Sequence, residues 1–137
     1  MIEWNDKYLI DIAEIDEQHS GFFNLIKNEL NQSNNHNKER LAEIIKNLEN
    51  YLKDHFYTEE KLLEKSGYAD IENHKTQHSF FIDKIQKMKL ELDYNNPMLY
   101  NKLIDFMKKW FLTHIINVDL KYKNTVINYL QTKNYEN

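Results

Sequence analysis

Residues 55–78 read HFYTEEKLLEKSGYADIENHKTQH and hold two pairs of metal-binding side chains, His55 with Glu59 and His74 with His78, each pair four residues apart. On an α-helix, residues four apart lie one above the other on one face, about 6 Å apart along the axis, which suits two ligands for one metal or for two adjacent metals. The setting strengthens the spacing. Leu41, Ile44, Leu48, Tyr51, Leu52, Phe56, Leu62 and Leu63 draw an apolar stripe at helical period, and His55 and Glu59 continue it. In the next segment Ile71, Phe81, Ile82, Ile85, Met88 and Leu92 do the same, with His74 and His78 in line. A carboxylate turned unpaired into a core is costly unless it is protonated or matched by a cation, so Glu59 calls for a buried positive charge.

Outward from that stretch, 137 residues with two Gly and one Pro, rich in Leu, Ile, Lys, Glu and Asn, carry few breakers and predict an all-α fold in a single domain spanning 1–137. A net charge of −4 with no basic stripe argues against a nucleic-acid partner, whose binding rests on clustered cations. With no Cys there is neither a disulfide framework nor a thiolate site, and metal ligands must be His and carboxylate. No apolar run approaches the roughly 18 residues of a membrane span, and the basic start and apolar run of a secretory signal are missing, so a cytoplasmic location without membrane insertion is expected.

The pattern predicts an up-down-up-down four-helix bundle with an extended N-terminal arm and a short C-terminal helix. Residues 1 to about 15, with Trp4, Tyr8, Leu9, Ile10 and Ile12, read as the arm. The first helix is expected from an N-cap at Asp16 to Gln32, with His19, Phe22, Phe23, Ile26 and Leu30 inward. The Asn-rich patch Asn31 to Asn37 reads as a loop. The second helix is expected from Asn37 to Ser66, where Gly67 suits the left-handed residue beyond a helix end. Asp70 caps the third, which runs to about Asp93, and Asn96-Pro97 supplies a cap and first-turn proline for the fourth. Leu103, Phe106, Met107, Trp110, Phe111 and His114 mark that helix's inner face, and Asp119 to Leu130 reads as the tail helix, with Leu120, Val126, Ile127 and Leu130.

Five of the six histidines, His19, His55, His74, His78 and His114, fall on inward stripes, with at least one from every helix, while His36 sits in the polar loop. A single core His is ordinarily a neutral imidazole bonded to a carbonyl. Five uncompensated ones in so small a domain would each forfeit roughly 1 kcal/mol or more. Asp119 follows His114 by five residues, a spacing that rotates it well away on an unbroken helix, so the two meet only if the helix ends or widens between them; alone, Asp119 reads equally well as a cap of the tail helix. Five imidazoles and two carboxylates suffice for two metal ions that share both carboxylates and a solvent-derived oxygen, three His completing one ion and two His leaving the other with an open position. Imidazole suits Fe, Zn, Cu and Ni, so the ligand types leave the metal open.

The arm with Trp4 and Ile15-Asp16-Glu17-Gln18-His19, then His55-x3-Glu59, His74-x3-His78 and His114-x4-Asp119, resembles the hemerythrins, especially the single-domain bacterial ones, over nearly the whole chain. Myohemerythrin is itself a reference example of the up-and-down bundle, so the topology follows from the resemblance as much as from the pattern. The resemblance implies two Fe ions per chain, oxo- or hydroxo-bridged, with His74, His78 and His114 on the filled iron, His19 and His55 on the open one, and Glu59 and Asp119 bridging. It implies O2 bound at the open position behind Phe22, Phe56, Trp110, Phe111, Ile115 and Val118, residues that core packing alone would also place inward. Tyr122, three residues after Asp119, is a candidate donor to a ligand, or a partly exposed tyrosine.

A di-iron oxygenase or ferroxidase would carry Glu-x-x-His on two helices, and no Glu stands three before any His here. No HExxH motif or spare inward acid suggests an acid-base enzyme. A binding protein for O2 rather than an enzyme is expected: a carrier or store delivering oxygen, with a possible O2-consuming client protein. The alternatives are a sensor of O2, redox state or nitric oxide acting through a separate partner, a peroxide- or iron-handling protein, and a metal-free interaction bundle. The oligomeric state has no sequence signature.

Overall fold

Asn37 begins the longest helix as expected: its backbone is extended and its side-chain oxygen accepts the N–H of Arg40 at 2.8 Å, closing one of the open donors of a helix start. The computed structural model describes residues 6–30, 37–92 and 97–135. Within them a 3-10 turn at Asp6–Tyr8 is followed by α1 (Ala13–Leu30), α2 (Lys38–Ser66), α3 (Ile71–Glu91), α4 (Leu99–His114), a π-helical turn at Ile115–Asp119 and α5 (Leu120–Tyr135). No strand occurs among the described residues. Helix α2 has 29 residues and is about 44 Å long at 1.5 Å per residue. It ends at Gly67, whose φ of 70° is available to glycine without steric cost.

Side-chain pairings show that α2 and α3, and α3 and α4, run antiparallel. Lys75 of α3 meets Glu64 of α2, His78 meets Glu60, and Lys89 meets Glu49, so the partners descend along α2 as they ascend along α3. In the same way Lys102 of α4 reaches Glu91 of α3 while His114 reaches Gln77. Between the helices lies a core that includes Ile45, Leu48, Leu52, Phe81, Ile85 and Leu103, each at most 1 % exposed. Each such side chain contributes about 1.5–3 kcal/mol of burial. Glu49, a polar exception, is 8 % exposed and accepts from Lys53, Gln86 and Lys89 at 3.0, 3.0 and 3.3 Å. Burial works to raise its pKa, but the two ammonium groups outweigh it and the carboxyl is held below its usual range.

Several expected boundaries move. Helix α1 begins at Ala13, three residues before Asp16, because Asp16 does not cap: its Oδ1 accepts the N–H of Ile10 at 2.9 Å and so ties the arm to the first turn. Asp11, at φ 61°, turns the chain between them. The arm is therefore not simply extended, although Ile10 and Ile12 do lie buried with Ile15, Leu63, Tyr122 and Val126 in a second apolar cluster under α5. Asp70 precedes α3 but caps no backbone donor; its carboxylate instead accepts from the side chain of Asn73 at 3.4 Å. Helix α4 starts at Leu99 after Met98, so Pro97 lies in the turn ahead of the helix rather than inside its first turn. The tail helix extends to Tyr135, five residues past Leu130, and its Val126 is fully buried. Trp4, the loop histidine His36, Gln32, Asp93 and Asn96 lie outside the described residues.

Candidate metal centre

All four helices of the bundle deliver donors to one place. His19 comes from α1, His55 and Glu59 from α2, His74 and His78 from α3, His114 from the last residue of α4, and Asp119 from the last residue of the π turn; all seven are at most 3 % exposed. The π turn makes the final pair possible. Five residues along a regular α-helix turn a side chain about 140° away from its starting face. Here the N–H of Leu120 reaches back five residues to the carbonyl of Ile115, the widened turn that brings Asp119 Oδ1 to 3.0 Å from His114 Nε2.

Each carboxylate is divided between two sets of imidazoles, one oxygen to each. Glu59 Oε1 meets His74 Nε2 and lies 2.9 Å from His78 Nε2, while Oε2 lies 3.5 Å from His55 Nε2 and 3.9 Å from His19 Nε2. Asp119 Oδ1 faces His114 and, at 3.3 Å, His74, while Oδ2 lies 3.1 Å from His19 Nε2. Two overlapping groups result, Glu59 with His74, His78 and His114, and Glu59 with His19, His55 and Asp119; ligand atoms within each lie within 4.8 Å of one another.

The donor set fits cations better than it fits itself. His19 Nε2, His78 Nε2, His114 Nε2 and both Asp119 oxygens are buried without a hydrogen-bond partner despite these short separations. Buried polar atoms are hydrogen-bonded in roughly nine cases of ten or more. These are near one another but misaligned for donation, aimed at points between them, which is the geometry a shared cation satisfies.

Electrostatically the cluster is polarised. Burial drives His55 down to about 4, so its imidazole is neutral and free to donate a lone pair. Burial opposes charge on His114 too, but Asp119 and then Glu59 outweigh it and its pKa rises to about 10. Glu59 is held well below the usual carboxylate range, burial being overcome by His114, His74 and His78. Asp119 is also lowered: burial and the charge of Glu59 work against its ionisation, and His114 and His19 overcome them.

Tyr122 is fully buried, not partly exposed, and donates to Glu59 Oε2 at 2.9 Å. Burial and the Glu59 charge push its own pKa well above 10, which keeps it a proton donor. The aromatic residues expected to wall the site occupy both of its ends. Phe111 sets its ring 5.7 Å from that of His19, edge to face, and Phe22 packs on Phe111 at 4.0 Å. Phe56 stacks on His78 at 3.8 Å and Trp110 on His114 at 4.4 Å, so these two cover the set of three imidazoles. Ile115 and Val118 are buried in the π turn.

Three side chains went unread in the sequence. Gln18 Oε1 lies 2.6 Å from His55 Nδ1, Glu60 Oε2 3.0 Å from His78 Nδ1, and Gln77 Oε1 3.2 Å from His114 Nδ1. Each adjoins a cluster residue in sequence, and the step of one residue around the helix turns it to an imidazole of the neighbouring helix. That adjacency was the available signal. Tyr51, half-buried, donates to the carbonyl of Gln18 and fixes the turn from which Gln18 reaches His55.

A bundle that converges five imidazoles on two divided carboxylates defines the chain as a cation-binding helical protein of the His and carboxylate type. The family model for the hemerythrin HHE cation binding domain matches residues 10–125, and the chain belongs to the hemerythrin family. It is similar to a bacteriohemerythrin of Clostridium acetobutylicum, 30 % identical over 130 residues, covering 89 % of this chain and 98 % of that one. A myohemerythrin of Theromyzon tessulatum is 29 % identical over 121 residues, covering 88 % of this chain and 90 % of the relative. A crystal structure of wild-type hemerythrin superposes with a TM-score of 0.80 at 21 % identity, covering 92 % of this chain and 98 % of the other, and shows the same helical-bundle fold. No helix of the described residues is long and apolar enough to cross a membrane.

Proposed function

We propose that this chain is a single-domain protein that binds O2 reversibly at a non-heme di-iron centre, as an oxygen carrier or store rather than an enzyme. The observation that carries the reading is the division of both carboxylates between three imidazoles and two. His74, His78 and His114 would hold one iron and His19 and His55 the other, with Glu59 and Asp119 shared between the two sets. When bound, the iron pair supplies the two electrons that O2 takes up on binding and returns on release.

The chain's own residues set the conditions for reversal. The two-imidazole side has one nitrogen donor fewer, which would leave a coordination position for a diatomic ligand on the side of His19 and His55. Phe111 and Phe22 give that side an apolar wall, keeping out water and the protons that would carry off reduced oxygen. Tyr122 holds Glu59 Oε2 in place by donating a hydrogen bond to it. A carrier in the cytoplasm, handing O2 to an oxygen-consuming client, is the role this chemistry serves.

The test is anaerobic reduction of the iron-loaded protein, then addition and evacuation of O2 with absorbance recorded throughout. The expected result is two irons per chain and a visible charge-transfer band that appears with O2 and disappears on evacuation. One zinc per chain, or steady conversion of O2 to free peroxide, would overturn the reading.

A further inference from the structure

The five imidazoles each have a ring nitrogen that faces away from the carboxylates, and what it meets differs from one to the next. His55 and His114 donate from Nδ1 toward the neutral amide oxygens of Gln18 and Gln77. Nδ1 of His74 and of His19 is buried with no hydrogen-bond partner. Nδ1 of His78 meets a carboxylate, Glu60 Oε2, at 3.0 Å. Among the described residues, His78 is thus the one imidazole of the five whose outer nitrogen rests on an anion.

The difference is chemical and not only geometric. A hydrogen bond from imidazole N–H to a carboxylate is charge-assisted and roughly twice as strong as one to a neutral acceptor. It draws the proton outward and returns electron density to the ring, which makes the inner nitrogen a stronger donor to whatever cation it holds. Stronger donation favours the higher oxidation state of that cation. Two features hold the contact in register. Phe56 lies flat on the His78 ring, 3.8 Å between centroids and 9° between planes, so the imidazole cannot swing its Nδ1 away. Glu60 projects from α2, 27 % exposed, beside a cavity of about 470 Å³ that His78, Phe56, Tyr57, Lys53 and Lys61 also line.

We infer that Glu60 is a positioning residue that acts through His78 to make the two irons unequal, stabilising Fe(III) on the side held by His74, His78 and His114. Gln18 performs the neutral counterpart on His55, so the iron beside the open position gives up its electron less readily and stays poised to bind O2 as Fe(II). The inference rests on the di-iron reading of the centre and adds to it a direction of electronic bias.

Glu60→Gln tests it, because glutamine keeps the length and an acceptor oxygen but removes the charge. Iron content is measured first, then the midpoint potential by redox titration. The expected result is two irons per chain in parent and variant, with the variant's one-electron reduction favoured about tenfold, a rise of about 59 mV. Gln18→Glu, which moves a carboxylate onto His55, is expected to shift the equilibrium the opposite way by a similar factor. A Glu60→Gln protein with full iron and an unchanged potential, or one that loses iron with no shift in what remains, overturns the inference. If Glu60→Gln fails to fold, an unmoved potential in Gln18→Glu overturns it instead. A parent chain without two irons removes the di-iron reading itself, and metal analysis separates that outcome from the others.

Discussion

Replacing Tyr122 by Phe removes one oxygen from a fully buried side chain, and the cost should depend on whether metal is bound. The ring is fully buried and the substitution keeps its shape, so packing changes little. What is lost is the donor to Glu59 Oε2 at 2.9 Å. In the metal-free protein the nearest remaining nitrogens to that oxygen are His55 Nε2 at 3.5 Å and His19 Nε2 at 3.9 Å, too far to replace it. Hydrogen bonds to charged groups are worth about 1.5–3 kcal/mol, and an ionised oxygen stranded in the interior places the loss in that range. With metal bound, the same oxygen has a cation to satisfy it, and only an ordinary hydrogen bond of about 1 kcal/mol is forfeited. Urea unfolding of both forms reads the difference: at a slope of about 2 kcal/mol per molar, the midpoint falls by about 1 M without metal and by about 0.5 M with it. An equal loss in the two forms, or a larger one with metal, would refute the placement of a cation against Glu59.

Other perturbations probe the same centre and its frame. Glu59→Ala or His74→Ala should halve or abolish iron content and lower stability, since one missing ligand strands its neighbours; unchanged iron by elemental analysis counts against the ligand set. The depressed pKa of His55, about 4, contributes stability that is present above about 6.5 and lost as pH falls toward 4, up to roughly 3 kcal/mol at 1.36 kcal/mol per unit. The raised pKa of His114, about 10, contributes stability present below about 6.5 and lost as pH rises through 10, so the metal-free protein should be most stable near neutrality in a pH series of urea titrations. Because a metal must displace the His114 proton, apparent metal affinity should climb about tenfold per pH unit near neutrality, and a flat profile would disprove that coupling. At Gly21 an added Cβ would stand 2.8 Å from the Tyr51 hydroxyl. Gly21→Ala should therefore forgo the helix gain of about 1 kcal/mol in the parent and recover it in a Tyr51→Phe background, a coupling that a double-mutant cycle measures.

The candidate ligands were legible because burial leaves a mark on sequence only where it conflicts with polarity. His55, Glu59, His74 and His78 interrupt apolar stripes at helical period, and a polar residue in such a stripe has to be explained. Helix α2 was bounded closely for a similar reason: Asn37 and Gly67 do local chemistry that needs no partner from elsewhere in the chain. Asp16 and Asp70 carry the same cap signature, and neither caps. Asp16 is engaged by the backbone of Ile10, six residues away, and Asp70 by the side chain of Asn73, competitors a cap motif does not reveal.

The spacing from His114 to Asp119 predicted a break or a widening but could not choose between them; the choice of a π turn depends on α5 continuing in line to bury Tyr122 and Val126 against α2 and the arm. Composition and period were enough to predict the helices and their order and to put five histidines and Glu59 on inward faces, whereas Asp119 could be read as a donor or as a cap. Which oxygen faces which imidazole, and the amide or carboxylate behind each outer nitrogen, are set by contacts between residues such as Gln18 and His55, or Glu60 and His78, that lie on different helices. Periodicity reports the face a side chain occupies, and only the packed bundle reports what stands opposite it.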